Sequence, residues 1–253
     1  MQRKPSGRGE SFESAWRRRF REYAHLRDDD AGIAGWSPTG LEARFRFFAR
    51  HWPGAAAGGL WLDVGCGAGT YSRYLAETGQ SVVGFDYSLP SVRKANERDS
   101  AGIVWAVADA RCLPVIDGEA DGVLCFGVTQ ALDSSVPLMD ELARVTAPDG
   151  VVWVDALNAY CLPHMLSAFV RRLRGRPRHL RYERPWRLRR TVRQAGFEPV
   201  RLMWLPILPG GLKRFQKCVE FEWVRILLHK IAPVGMLASH SVVVEARRQR
   251  DIQ

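Results

Sequence analysis

Three carboxylates and a glycine triplet occupy positions from which a fold could bring them onto one ligand. Asp63 sits in LWLDVGCGAGT, with Gly65, Gly67 and Gly69 following on alternate positions; Asp86 ends VVGFD, and Asp109 follows VWAVA. Glycines leave no Cβ between backbone N–H groups and a ligand, and a helix starting behind them favours negative charge. Dinucleotide folds use GxGxxG, but the spacing here is GxGxG, with an acid two residues ahead. A carboxylate aimed into such a pocket repels a pyrophosphate and attracts a cationic amine, so the pattern predicts a ligand that carries an ammonium and a carboxylate together. Asp86 at a strand end can accept hydrogen bonds from both hydroxyls of a ribose, and Asp109 from the exocyclic amine of an adenine. The set outlines an adenosine joined to an amino acid, as in S-adenosylmethionine.

These residues need strands that end side by side. Leu60, Trp61, Leu62 and Val64 read as a strand buried on both faces, and Tyr71, Tyr74 and Leu75 as the helix behind it, stopped by Gly79. Strand patterns recur at 81–85, 103–108, 122–126 and 151–154. Between them run a helix capped by Ser88 and one that starts at Ser134 or Ser135 and carries Leu138, Leu142 and Val145. Repeated βα units predict an α/β fold, a parallel sheet with helices on both faces. Two helices precede the first strand, one with Phe12, Trp16, Phe20 and Tyr23, the next, after a loop with Asp28, Asp29 and Asp30, opened by a Thr39–Glu42 capping box. The last third reads as helices over 163–173 and 185–195, a strand over 200–204, one long helix over 212–231 whose Phe215, Val219, Trp223, Ile226 and Leu227 give an apolar stripe, and a strand over 241–245.

At 253 residues and 46% hydrophobic content the chain suits a single domain. Residues 1–10 read as a disordered tail, 11–57 as helices covering the site, and 58–253 as the main domain with insertions near 156–190 and 206–237. No stretch approaches the roughly 18 unbroken apolar residues of a membrane span, so a cytoplasmic location is expected. The five cysteines show no CxxC spacing, which predicts neither a zinc site nor a disulfide framework. The net charge of +10 is concentrated in RRLRGRPRHLRYERPWRLRR, residues 171–190, a patch suited to nucleic acid, anionic lipid or an acidic substrate.

Through LDVGCGAG, VVGFD, VADARCLP, ADGVLCF, ELARVTAPDGVVWVD and AGFEPV, the chain resembles the class I S-adenosylmethionine-dependent methyltransferases of the quinone and small-molecule group. The resemblance implies a Rossmann-like, seven-stranded, mostly parallel sheet with the last strand antiparallel. It places Asp63, Gly65, Gly67 and Gly69 at the methionine moiety, Asp86 and Tyr87 at the ribose, and Asp109 and Ala110 at the adenine. Phe126 and Gly127, after the fourth strand, would lie near the methionine amine.

No metal is required for methyl transfer from a sulfonium; the protein must hold the acceptor in line with the S–CH₃ bond. For a hydroxyl acceptor a base would help, and His164, just past the fifth strand, is the candidate; His25 and Tyr23 rank below it. Trp16, Phe20, Tyr23, Trp36 and the segment MWLPILPGGL are apolar enough to line an acceptor pocket or rest on a bilayer. The expected activity is O-methylation of a small, apolar or lipid-like acceptor, with peripheral membrane contact. Two other readings stand beside it: an RNA methyltransferase gripping phosphates through residues 171–190, ranked lower because no RNA-binding module is evident, and a non-catalytic cofactor-binding scaffold.

Overall fold

The apolar run at 60–64 forms β1 (Leu60–Val64), and its alternation feeds two cores: Leu62 and Val64 pack on one face of the sheet and Trp61 on the other. The structure, a computed structural model, describes residues 11–99, 101–176 and 180–250; the tail expected at 1–10 lies outside them. Ahead of β1 come α1 (Phe12–Leu26), α2 (Asp30–Ile33) and α3 (Pro38–His51). After it follow α4 (Thr70–Glu77), β2 (Ser81–Asp86), α5 (Leu89–Glu97), β3 (Val104–Val107), β4 (Ala120–Cys125), α6 (Val136–Val145) and β5 (Thr146–Leu157). The chain closes with α7 (Leu162–Leu173), α8 (Pro185–Gln194), β6 (Phe197–Leu205), α9 (Gln216–Val219), α10 (Glu222–Lys230), α11 (Ala232–Ala238) and β7 (Ser241–Arg248).

The seven strands lie in the order β3-β2-β1-β4-β5-β7-β6. Pairing is parallel from β3 to β5, and β7 runs antiparallel between β5 and β6. The order reverses between β1 and β4, which opens a crevice at their carboxyl ends, where open α/β sheets bind ligands. Residues of α6 and α8, such as Leu138, Leu142 and Leu188, seal one face, while Phe47 and Phe48 of α3 with Tyr71 and Leu75 of α4 seal the other. Phe48 is fully buried against the Trp153 and Phe126 rings, so its replacement by alanine should cost about 3–5 kcal/mol.

Three expectations change. The cap of α3 is Ser37, whose hydroxyl accepts the Gly40 N–H at 3.1 Å, with Pro38 in the first turn; Thr39 is already helical. Asp28–Asp30, read as a loop, leads into the short helix α2, capped by Asp29. The long helix at 212–231 is broken: residues 210–215 form a 3₁₀ turn, Phe221 is extended, and Ile231 leaves helical geometry ahead of Pro233. The break also turns the expected stripe outward, leaving Phe215, Trp223, Ile226 and Leu227 exposed and Leu228 buried in their place.

Candidate functional site

At the crevice between β1 and β4 lies a cavity of about 1040 Å³, counting the part open to solvent. Its floor is the glycine loop. The Gly65 and Cys66 N–H groups both donate to the Phe85 carbonyl at the end of β2, at 2.7 and 2.9 Å, so the turn is fixed to the neighbouring strand. Gly65 has φ +83°, and a Cβ there would stand 2.3 Å from Val128, which faces the loop from beyond β4. Gly67 (φ +55°) and Thr70, at the start of α4, continue the floor, so the helix N-terminus opens onto the cavity. Gly69 does not line it; its missing side chain makes room for the Trp105 indole, 2.4 Å from where a Cβ would be.

Asp86 stands on the wall at the end of β2. One carboxylate oxygen accepts the Gly67 N–H at 3.0 Å and the other the Ser88 N–H at 2.8 Å, which leaves each oxygen a further lone pair. Burial pushes its carboxyl up to about 6, against those two hydrogen bonds. Tyr87 lines the same wall, with its hydroxyl donating to the Arg17 carbonyl of α1 at 2.8 Å. Asp109 and Ala110 follow β3. The Asp109 carboxylate is fully engaged: Arg111 donates through its backbone N–H and guanidinium, and Arg17 donates at 2.5 Å. These bonds, Arg111 first, hold its carboxyl well below the usual carboxylate range.

Phe126 and Gly127 form the wall beyond β4. The Gly127 N–H donates to Asp155 at 2.7 Å, and Asp155 pairs with Arg44 of α3 at 3.3 Å, both side chains buried. Arg44 also donates to Ser241 of β7 and lies 4.3 Å from the centre of the Trp36 ring. Trp36 in turn covers Gly127, where a Cβ would meet the indole at 2.4 Å. One buried ion pair thus fixes a loop of the wall and an aromatic of the roof.

The eight remaining predicted residues, Gly65, Gly67, Asp86, Tyr87, Asp109, Ala110, Phe126 and Gly127, therefore share one cavity. Asp63 does not reach it: its carboxylate lies beneath the loop and accepts the Ser72 hydroxyl at 2.6 Å, and burial pushes it up to about 7. His164 is also elsewhere. Its Nδ1 lies 2.9 Å from the Asn158 carbonyl, its ring packs on Tyr182 and His240, and burial lowers its pKa; none of its neighbours borders the cavity. His25 is exposed, and Tyr23 packs on Phe20 behind the roof.

Sequence reasoning missed part of the roof. Trp16 and Phe20 were expected there, but α1 also contributes Glu13 and Arg17, and α2 contributes Asp30 and Ile33. Asp30 accepts from Thr70 of the loop and from Arg73 and Arg98, tying α2 to α4 and α5. A four-residue helix has no readable periodicity; the run of three aspartates was the available signal. Tyr71 lines the cavity as well, and its hydroxyl, with the indole nitrogens of Trp16 and Trp36, is buried without a hydrogen-bond partner among the described residues. A ligand able to accept from them would satisfy an otherwise costly set.

Residues 62–154, which include the glycine loop, Asp86, Asp109 and Phe126–Gly127, match the family model described as "Methyltransferase domain". Over these residues the chain is similar to methyltransferase domains. The chain is 32% identical over 108 residues to the malonyl-[acyl-carrier protein] O-methyltransferase of Pseudescherichia vulneris, covering 43% of each. It is 29% identical over 159 residues to the ubiquinone biosynthesis O-methyltransferase of Bordetella bronchiseptica, covering 58% of this chain and 65% of that protein. The chain thus spans about half the length of the curated relatives it matches. Among solved structures, the magnesium protoporphyrin IX methyltransferase of Synechocystis with bound S-adenosylhomocysteine superposes with a TM-score of 0.62 at 15% identity, over 94% of this chain and 100% of that one. Phosphoethanolamine N-methyltransferase 2 of Haemonchus contortus, in complex with S-adenosyl-L-methionine, gives 0.63 at 19% identity, over 91% and 60%. At these identities the structures share the fold.

Proposed function

We propose that the chain transfers a methyl group from S-adenosyl-L-methionine to an oxygen of a small, apolar or lipid-like acceptor. The observation that carries this reading is the convergence of the glycine loop, Asp86 and Asp109 on one cavity floor beneath an apolar roof of Trp16, Phe20 and Trp36. The residues fit the cofactor. Gly67 and Thr70 line the cavity at the N-terminus of α4, whose dipole suits a carboxylate, and Asp86 keeps one lone pair on each oxygen for a ribose diol. Asp109 is placed for an adenine amine, which would share it with Arg17 or displace it. The bound cofactor supplies a methyl group already activated on a sulfonium.

The remaining work is positioning. Phe126 and Gly127, braced by Asp155, hold the loop beside the expected methionine end, and the roof excludes water from the acceptor. Among the described residues no histidine lines the cavity, Asp109 is held by Arg111 and Arg17, and Asp86 is assigned to the ribose. Acceptor oxygens that ionise unaided, carboxylates and acidic phenols, suit it best. The relatives named as O-methyltransferases of a malonyl thioester and of ubiquinone biosynthesis support an oxygen acceptor. A cytoplasmic enzyme of this kind would meet a lipid-like acceptor at a bilayer surface.

Among the described residues none of the arginine-rich segment lines the cavity, which leaves the RNA reading without a path from grip to site. The test is incubation with methyl-labelled cofactor, a bacterial lipid extract and total RNA, followed by a panel of lipophilic carboxylic acids and phenols. Label should enter solvent-extractable material and be retained as a methyl ester or ether. Label confined to RNA would overturn the proposal.

A further inference from the structure

Helix α7 is built inside out. Leu162, Met165, Leu166, Phe169 and Leu173 recur at i, i+3, i+4, i+7 and i+11, which places them on one helical face. On an ordinary surface helix that stripe would turn inward. Here every one of the five is exposed, Leu166 at 65% and Phe169 at 59%, and α7 buries none of its residues. The opposite face, carrying His164, meets the body through the Asn158 carbonyl, Tyr182 and His240. An apolar stripe left in water over three helical turns is unfavourable unless something covers it.

The surrounding charge says what would cover it. From residue 156 to residue 182 there is no acid, and the next, Glu183, is buried in a pair with Arg181. Arg172, Arg174 and Arg176 are exposed at the end of α7, and Arg187, Arg189 and Arg190 are exposed on α8. Beside the start of α7, the Tyr160 and Trp186 rings stack at 4.8 Å, with Trp186 exposed. A second copy of the chain brought against this face would bring no acid from residues 156–182 to meet the arginines. An anionic bilayer has both complements, acyl chains for the stripe and phosphates for the guanidinium groups, with aromatic rings suited to the headgroup level.

We infer that α7 is a membrane-docking helix that lies in the plane of an anionic phospholipid surface, its Leu162–Leu173 stripe in the acyl boundary and the flanking arginines on the headgroups. No helix of the described residues is long and apolar enough to cross a membrane, so α7 would rest on one leaflet. The inference stands apart from the methyl-transfer reading, because none of these residues lines the cavity.

Flotation of the full chain with vesicles tests it. The chain should float with vesicles of equal parts phosphatidylcholine and phosphatidylglycerol, remain below with phosphatidylcholine alone, and be released by high salt. The double variants Leu166→Ser with Phe169→Ser, and Arg172→Glu with Arg174→Glu, should each reduce partitioning at least about tenfold, with unchanged thermal melting. The inference is overturned by wild-type protein that ignores both vesicle types or prefers the neutral ones, and by a Leu166→Ser, Phe169→Ser variant that floats like the wild type. It is also overturned by a wild-type dimer that this apolar variant dissolves, because the occupant would then be a second copy.

Discussion

Arg17, from the middle of α1, reaches 2.5 Å to the carboxylate of Asp109 beyond β3, residues 92 positions apart in the chain. The contact fastens the roof of the cavity to its floor, and a second tie runs from the Tyr87 hydroxyl to the Arg17 carbonyl. Any ligand that uses Asp109 must therefore share it with α1 or move α1 aside.

Arg17→Ala should leave stability nearly unchanged, by less than about 1 kcal/mol, because both partners are partly solvent-exposed. Cofactor exchange should quicken severalfold in both directions, read by stopped-flow tryptophan fluorescence with Trp16 as the reporter on the wall. Unchanged rates would show that α1 does not gate the cavity.

Asp86→Ala should weaken cofactor binding by about 1.5–3 kcal/mol, the range for hydrogen bonds to a charged group. Asp86 also sets a pH dependence. Its carboxyl is raised to about 6 in the free protein, and ribose hydroxyls donate to the ionised form, so binding draws the pKa down. Affinity should be flat above about pH 7 and fall toward tenfold per unit as pH drops below about 6. Calorimetry across that window checks it, and the Asp86→Asn variant should lose the dependence.

Arg44 and Asp155 are both about 3% exposed in their side chains, so removing one strands the other in the interior. Arg44→Ala should cost about 3–5 kcal/mol in urea denaturation, and the paired change Arg44→Met with Asp155→Leu should cost less than either single change. Cofactor affinity should fall in each of these variants, because Gly127 and Trp36 lose their brace. A single-variant cost below about 1 kcal/mol would contradict a closed buried pair.

His164→Ala should retain turnover within about twofold at every pH, since the ring stands on Asn158, Tyr182 and His240 and away from the cavity. A large drop in turnover with intact cofactor binding would restore it as a base.

The strands and the residues at their ends were legible in the sequence, because buried parallel strands read as short apolar runs, and the residues just beyond them inherit their places from the sheet order. Asp86 and Asp109 were found this way, whereas Phe126–Gly127 came from the family resemblance. Direction of a side chain was not legible: Asp63 lies on β1 as expected, but strand alternation turns its carboxylate beneath the loop toward Ser72. Gly69 matched the triplet and proved to serve Trp105, a contact between segments 36 residues apart. The 212–231 stripe has helical period, yet period alone does not say whether a face turns inward, and here it turns out. The roof salt bridges of Glu13, Arg17 and Asp30 depend on how α1 and α2 settle on the sheet, which no local pattern encodes.

The most direct measurement is calorimetric titration of the full chain with S-adenosylhomocysteine and, separately, with a nicotinamide dinucleotide. One molecule of the nucleoside should bind per chain, with the dinucleotide giving no heat and Asp86→Ala abolishing most of the nucleoside signal. A folded protein that takes up the dinucleotide and ignores both S-adenosylhomocysteine and S-adenosyl-L-methionine would contradict the assignment of the cavity.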